Sequence, residues 1–452
     1  MIGESENVRK RQLKASDTKV DPNQESDYDD KSDGSESKFE DVCSTSNLVT
    51  SEGGATSMEQ ALSGLSARWR NWVIRGVFSF FMLLAFSFVI YLGPLALITI
   101  VLLIQIKCFQ EIISIGYAIY RMHKLPWFRS LSWYFLIASD YFFYGEAVID
   151  YFGLFLKRDE FLRFLLTNHR MISFFLYLIG FIWFVLSLVK RYYMRQFSLF
   201  AWTHVTLLLI VAQSYLIIQN IFEGTIWFIV PVLLIICNDM TAYLFGFFFG
   251  RTPLIKLSPK KTWEGFLGGA FSTIIFSSLL SYVLLQFPQL VCPATYNELK
   301  ETFTTDCQVA ATFKLQNYSI PIAPAFLHFL LPRSINFRAY PFMFHSLTMA
   351  LFASLIGPFG GFFASGFKRA FKIKDFGAVI PGHGGLMDRF DCQLLMGTFV
   401  HVFIHTYVRV SDPTKVVQRI MMLNNDVQIE VFMLLYQRLS AAGLLGNFTL
   451  TA

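Results

Sequence analysis

Charge is scarce in this sequence. Only 15% of its 452 residues are Asp, Glu, Lys or Arg, while 54% are hydrophobic and 50 are phenylalanine. Soluble domains carry about 25% charged residues, so a soluble globular protein is excluded and a polytopic membrane protein is expected. Cysteine is also thin: there are six, with no CxxC pair and no metal-finger spacing, which excludes a zinc module or a disulfide-built scaffold. No N-terminal signal peptide is visible, because the first apolar run begins near residue 72 behind a long polar stretch. The first crossing is therefore expected to act as its own targeting signal. No internal repeat is present, and no segment outside the apolar runs is large enough to fold as a separate catalytic domain.

The charge that exists is unevenly placed. Residues 1–60 hold 14 Asp/Glu against 7 Lys/Arg, and the remainder holds 18 against 31. The membrane part is thus strongly basic, which suits anionic lipid or nucleotide. Residues 1–65, rich in Ser, Asp and Glu, are too polar to offset ordering entropy and are expected to be a disordered acidic cytosolic tail. A collar of Arg68, Trp69, Arg70 and Trp72 then marks the cytosolic interface.

Nine apolar runs follow, of roughly the 17–25 residues that a bilayer core requires. They cover approximately 72–92, 94–117, 131–154, 171–189, 199–219, 225–249, 264–286, 343–365 and 391–409. An all-α polytopic membrane protein with about nine transmembrane helices is expected, as a domain over 66–410 and a C-terminal tail over 411–452. With the N-terminus cytosolic, the basic connections Arg121–Arg129, Lys190–Arg195, Arg251–Lys261 and Lys368–Arg389 all face the cytosol, as the positive-inside rule requires. One connection dissents: Lys157, Arg158, Arg163 and Arg170 fall on the lumenal side, beside Asp159 and Glu160. The long loop 287–342 is expected to be lumenal. There Cys292 and Cys307 are able to pair in an oxidising compartment, and Asn317-Tyr318-Ser319 is a glycosylation triplet, as is Asn447-Phe448-Thr449 near the C-terminus.

The densest chemistry lies between the last two apolar runs, in Ser365–Asp391, SGFKRAFKIKDFGAVIPGHGGLMDRFD. Lys368, Arg369, Lys372, Lys374 and Arg389 supply positive charge; Asp375, Asp388 and Asp391 supply hard oxygen ligands. This mixture suits a polyphosphate held by magnesium, with carboxylates on the metal and Lys/Arg on the remaining phosphate charge. Gly377, Gly382, Gly384 and Gly385 would let backbone N–H groups approach phosphate. A solvated basic loop would explain the lysines and arginines but neither the HGG nor the paired aspartates.

Two further pieces lie upstream. The sixth run holds Asn238-Asp239 within apolar sequence, an expensive placement that marks either a functional acid or a packed interhelical pair. Ser258-Pro259-Lys260-Lys261-Thr262-Trp263-Glu264-Gly265 follows; Thr262 is suited to cap the next helix, and a helix start beside two lysines makes a triphosphate cradle. Asp140, Glu146 and Asp150 in the third run, and Glu111 in the second, either line a polar cleft for a lipid head group or face other helices. His401 and His405 stand four apart without an acidic neighbour, which favours packing over metal binding.

The Ser365–Asp391 stretch, with Lys368-Arg369, Lys374-Asp375, Gly377, Pro381, His383-Gly384-Gly385, Asp388-Arg389 and Asp391, resembles the signature of phosphatidate cytidylyltransferases (CDP-diacylglycerol synthases). The upstream Asn238-Asp239 and SPKKTWEG resemble that family too, so the resemblance covers roughly 70–410. It implies that phosphatidate and CTP give CDP-diacylglycerol and pyrophosphate, with Mg²⁺ as cofactor and a second cation, monovalent or divalent, left open. It implies catalytic roles for Asp388, Asp391, Asp375, Asp239 and His383, the last in phosphate binding rather than as a base. Metal binding falls to Asp388, Asp391 and Asp375, and substrate binding to Ser258, Lys260, Lys261, Lys368, Arg369, Arg389, Gly384 and Gly385. It further implies an endoplasmic reticulum membrane protein with a cytosol-facing site, a homodimer, and no nucleic-acid partner. The alternatives are a CDP-alcohol phosphotransferase, whose DGxxAR and GxxxDxxxD stretches are absent here, and a multi-pass transporter of anionic solutes, which would not need the glycine and aspartate pattern after Ser365.

Overall fold

The computed structural model describes residues 67–119, 127–152, 160–255, 257–293, 295–297, 302–304, 307, 309–321, 334–377, 384–408, 416–417, 420–421 and 423–444. All fall within the compact unit Leu62–Ala452. The expected acidic tail 1–65, His383 and the Asn447 triplet lie outside the described residues.

The apolar runs are helical, since only a structure that satisfies its own backbone survives in hydrocarbon. In order they are α1 (Ala67–Leu92), α2 (Pro94–Ile119), α3 (Trp127–Phe152), α4 (Glu160–Thr167), α5 (His169–Leu186), α6 (Tyr193–Glu223), α7 (Ile226–Phe249), α8 (Trp263–Leu284), α9 (Pro341–Leu355), α10 (Gly357–Ala370), α11 (Met387–Phe403) and α12 (Asn425–Ala441). A six-residue π-helical turn, Leu207–Ala212, interrupts α6. Among the described residues six helical stretches are long and apolar enough to cross a membrane: α2, α5, α6, α7, α8 and the α9–α10 stretch Pro341–Ala370. The expected runs near α1, α3 and α11 are helices too but fall outside that set. The expected C-terminal tail contains a helix, α12, with no buried residue.

The all-helical expectation needs one correction. Three two-stranded antiparallel sheets interrupt the helices. β1 (Pro253–Ile255) pairs with β2 (Ser258–Thr262) before α8, β3 (Thr295–Asn297) with β4 (Thr302–Thr304), and β5 (Gln316–Pro321) with β6 (Ser334–Ala339). Hydropathy reveals crossings but not such short hairpins. Cys292 and Cys307, left open by the sequence, are disulfide-bonded across 15 residues. Asn317 of the glycosylation triplet is exposed on β5. Closing a 15-residue loop removes about 3 kcal/mol of unfolded-state entropy. Reduction, or the Cys292→Ser/Cys307→Ser pair, is expected to lower thermal stability by about that amount, read by differential scanning fluorimetry with and without reductant.

Packing that matters for the site centres on α7 and α8. A methyl on Gly265 would stand 2.6 Å from the Ala242 carbonyl oxygen, one on Gly268 would collide with the Phe245 ring, and one on Gly269 would stand 2.9 Å from Ala242 Cβ. Small residues thus let the two backbones touch, the main source of helix association in lipid. α11 is tied on two sides. Asn220 Nδ2 of α6 donates to the Gly397 carbonyl at 2.8 Å, and Gln393 Nε2 donates to the Val232 carbonyl of α7 at 3.2 Å. In α2 and α3, Gln105 Nε2 donates to Asp140 Oδ1 at 2.6 Å, and Tyr144 OH to Gln105 Oε1 at 2.5 Å. Asp140 therefore serves interhelical packing; the side chains of Glu146 and Asp150 lie outside what is described.

Candidate active site

The β1–β2 hairpin delivers the first piece. Lys260 and Lys261 are on β2, directly before the start of α8 at Trp263, so the two lysines stand beside a helix N-terminus as expected, with a short strand leading into it. Thr262 caps α8 as the sequence indicates: its Oγ1 accepts the Gly265 N–H at 3.2 Å. Glu264 holds the hairpin base, accepting the Arg251 N–H at 3.2 Å and the Thr252 hydroxyl at 2.8 Å. Ser258 is half-buried and paired with Ile255; the Lys260 side chain lies outside the described set. Thr262→Ala is expected to cost about 1 kcal/mol, read as a lowered thermal midpoint with the fold retained.

The second piece is the turn from α10 into α11. α10 ends on Lys368 and Arg369, cations at the negative end of a helix dipole. Phe376, 6% exposed, stacks on Phe367 and anchors the chain that follows. In the first turn of α11, Asp388 folds back over the helix start. Its Oδ1 accepts Lys368 Nζ at 2.5 Å, and its Oδ2 accepts the Phe376 N–H at 3.0 Å and the Gly385 N–H at 3.2 Å. Its side chain is only 7% exposed. Three of about four acceptor positions on a carboxylate are therefore filled by the protein. The Gly385 N–H, expected to face phosphate, is committed to Asp388. A methyl at Gly385 would collide with the Gly377 nitrogen at 2.6 Å and with Glu111 Oε2 at 2.9 Å, so close packing explains this glycine. Gly384 has φ +81°, the left-handed region glycine tolerates, and a methyl there would stand 3.3 Å from the Asp375 carboxyl.

Asp391, one turn on, faces a different surface. Its Oδ1 accepts the following Cys392 N–H at 2.7 Å. A methyl on Gly361 would stand 3.7 Å from Asp391 Oδ2 and 3.6 Å from Lys261 Nζ, which brings the last aspartate of the signature beside the lysine of the upstream hairpin. The Lys261 ammonium also lies over the Phe362 ring, 4.6 Å from its centroid. Asp239, exposed on α7, interacts electrostatically with Lys261 and Arg389, and with Asp391. Three separate stretches of sequence thus meet at one rim: Asp239, Lys261, and the pair Lys368/Asp388 with Asp391.

Among the described residues no three His, Cys, Asp or Glu side chains form a group that could hold a metal ion. The expected set of Asp375, Asp388 and Asp391 is therefore not gathered in one place. Asp388 is turned toward Lys368 and two backbone amides, Asp391 accepts the Cys392 N–H with Lys261 in its neighbourhood, and Asp375 is exposed beside Gly384. Arg369 and Arg389 are exposed at the rim. For Glu111 the sequence left open a polar cleft or a contact with other helices; the structure places its carboxylate against the start of α11, accepting the Leu386 and Met387 N–H groups.

A bundle of apolar helices with a basic, carboxylate-bearing rim assembled from short connections defines a helical polytopic membrane protein with a site suited to phosphates. Comparison with known proteins gives the particular family. The model of the cytidylyltransferase family matches residues 73–407. A phosphatidate cytidylyltransferase of Caenorhabditis elegans is 56% identical over 419 residues, 92% of this chain and 90% of the relative. Phosphatidate cytidylyltransferase 1 of Rattus norvegicus is 58% identical over 388 residues, covering 86% and 83%, and phosphatidate cytidylyltransferase 2 of Homo sapiens is 56% identical over 393 residues, covering 87% of each. The chain belongs to the cytidylyltransferase family, and it is an enzyme of that class.

Proposed function

We infer that this protein transfers CMP from CTP to phosphatidate, giving CDP-diacylglycerol and pyrophosphate for phospholipid synthesis. The observation that carries the reading is the meeting of Lys261 with Asp391 beside Gly361, within a chain more than half identical to phosphatidate cytidylyltransferases across most of its length. In the reaction a phosphate oxygen of phosphatidate forms a bond to the α-phosphorus of CTP, and the bond from that phosphorus to the bridging oxygen breaks, so that pyrophosphate leaves with the electron pair. A phosphate monoester is already ionised near neutral pH, so the protein needs to position and neutralise rather than to remove a proton. Lys261, with Lys260 next to it on β2, neutralises triphosphate oxygens. Lys368 and Arg369 present charge from the end of α10, with Lys368 held in place by Asp388.

The donor set fits magnesium. Asp391 and Asp239 are hard carboxylates in the neighbourhood of Lys261, and the backbone amide of Cys392 takes only Oδ1 of Asp391. These two would hold the ion, while Asp388, committed to Lys368 and to two backbone amides, would support the site from behind. When bound, magnesium neutralises phosphate charge and orients the triphosphate. The bundle crosses the membrane nine times, with α1, α3 and α11 added to the six longer spans. The disulfide and the exposed Asn317 support a lumenal loop, which favours the endoplasmic reticulum membrane with the rim facing the cytosol. There the acyl chains of the substrate stay in the bilayer while CTP enters from water. Two copies form the working enzyme, as the family resemblance implies.

Purified protein in lipid–detergent micelles, given labelled CTP and phosphatidate, is expected to yield a lipid-soluble cytidine product only when magnesium is supplied. Absence of that product under saturating substrates would overturn the reading.

A further inference from the structure

Glu111 lies on α2, 275 residues before the segment it touches. It is 8% exposed on a mostly apolar helix, a position that a carboxylate occupies only at high cost unless donors surround it. Each of its oxygens takes one donor: Oε1 the Leu386 N–H at 2.9 Å, Oε2 the Met387 N–H at 3.0 Å. These are amides at the start of α11, where a helix leaves N–H groups without intrahelical acceptors. The local sequence offers no substitute, because the N-cap position is Leu386 and no side chain from the turn caps it. The negative charge also sits at the positive end of the α11 dipole. Space around the carboxylate is fully specified: a methyl on Gly377 would stand 2.6 Å from Oε1, and one on Gly385 2.9 Å from Oε2.

We propose that Glu111 is a positioning residue for cytidylyl transfer, a carboxylate clamp that fixes the start of α11, and through it Asp388 and Asp391, against α2. It touches no substrate atom. Gln at this position offers one acceptor and turns an NH₂ group toward the second amide, so the clamp opens on one side. The first turn of α11 then shifts relative to Lys261, and a displacement of about 1 Å in a positioned group costs about 10²-fold in rate. The clamp rests on the function inferred above, and conversion by the wild-type protein tests that function by itself.

The experiment uses the full chain, purified in lipid–detergent micelles, with Glu111→Gln, Glu111→Ala, Gly377→Ala and the double variant Glu111→Ala/Gly377→Ala. Glu111→Gln is expected to lower kcat by about 10-fold or more and to raise the KM for CTP by about 5-fold, because the triphosphate contacts are displaced. Gly377→Ala, which pushes the carboxylate away, is expected to move both constants in the same direction. In the Glu111→Ala background the added methyl meets no carboxylate, and it should cost less than about 2-fold further. An unchanged KM for CTP, with maximal rate falling only in proportion to the folded fraction, would reduce Glu111 to a stability residue and overturn the proposal. So would a Gly377→Ala effect of equal size in both backgrounds. If the Glu111 variants fail to purify, Gly377→Ala decides alone: a raised KM for CTP with thermal stability retained supports the clamp, and wild-type kinetics sink it. If even the wild type makes no lipid-linked cytidine, the function reading fails, and the thermal midpoints of the same four variants still report whether Gly377 and Glu111 are coupled.

Discussion

Asp391→Asn is expected to lower cytidylyl transfer by about 10²- to 10³-fold while leaving the protein about as stable as the wild type, whereas Asp388→Asn is expected to lose both activity and stability. The two aspartates stand three residues apart in one signature, and their surroundings separate them. Asp391 takes one backbone donor, the adjacent Cys392 N–H, and lies in the neighbourhood of Lys261 and the exposed Asp239, so its charge serves ligands more than the fold. Removing such a charge from a phosphoryl-transfer site costs roughly 10²- to 10³-fold in kcat. Asp388 is buried, with its carboxylate shared among Lys368 and the Phe376 and Gly385 amides. An asparagine there leaves the Lys368 ammonium without its anion and can set an NH₂ group against a backbone donor, a loss of roughly 3–5 kcal/mol for a buried pair broken on one side. Radiolabelled CTP conversion and thermal midpoints on the same samples check the contrast. Equal destabilisation by both variants would mean that Asp391 is also a structural acid.

Gly265→Val is expected to lower activity by more than about 10-fold and stability by about 1–3 kcal/mol, although Gly265 is not among the site residues expected from the sequence. Its side chain would begin 2.6 Å from the Ala242 carbonyl oxygen, which is backbone and cannot rotate away. The two helices must then separate. Asp239 sits three residues before Ala242 on α7, and Lys261 four residues before Gly265 on the strand that leads into α8, so the separation pulls these two site groups apart. Gly265→Ala should have the same sign and a smaller size. Cytidylyl transfer and melting temperature are the readouts; full activity in the valine variant would show that the α7–α8 contact does not position the rim.

Much of this was legible in the chain itself. Helices follow from runs long and apolar enough to need internal hydrogen bonding, so the helical membrane class and the approximate positions of the long helices could be read without tertiary information. Thr262 was legible as a cap because capping is local, a hydroxyl two or three residues from the amide it serves. Lys261, Lys368, Asp239, Asp388 and Asp391 were legible as site candidates because charge inside or beside apolar sequence is costly. The β1–β2 hairpin was not, since three to five residues of strand leave no periodicity that a helix-sized window detects.

Sequence alone determined the solvent this protein folds in, the elements it builds and the short list of ionisable groups with reason to be there. Tertiary structure decided how those groups divide the work. Whether a carboxylate binds a ligand or holds the backbone depends on which donors reach it, and for Asp388 and Glu111 all of those donors but the Gly385 amide come from residues 12 to 276 positions away. Contacts of that span leave no periodic or local trace in the chain; they exist only once α2, α10 and α11 have packed.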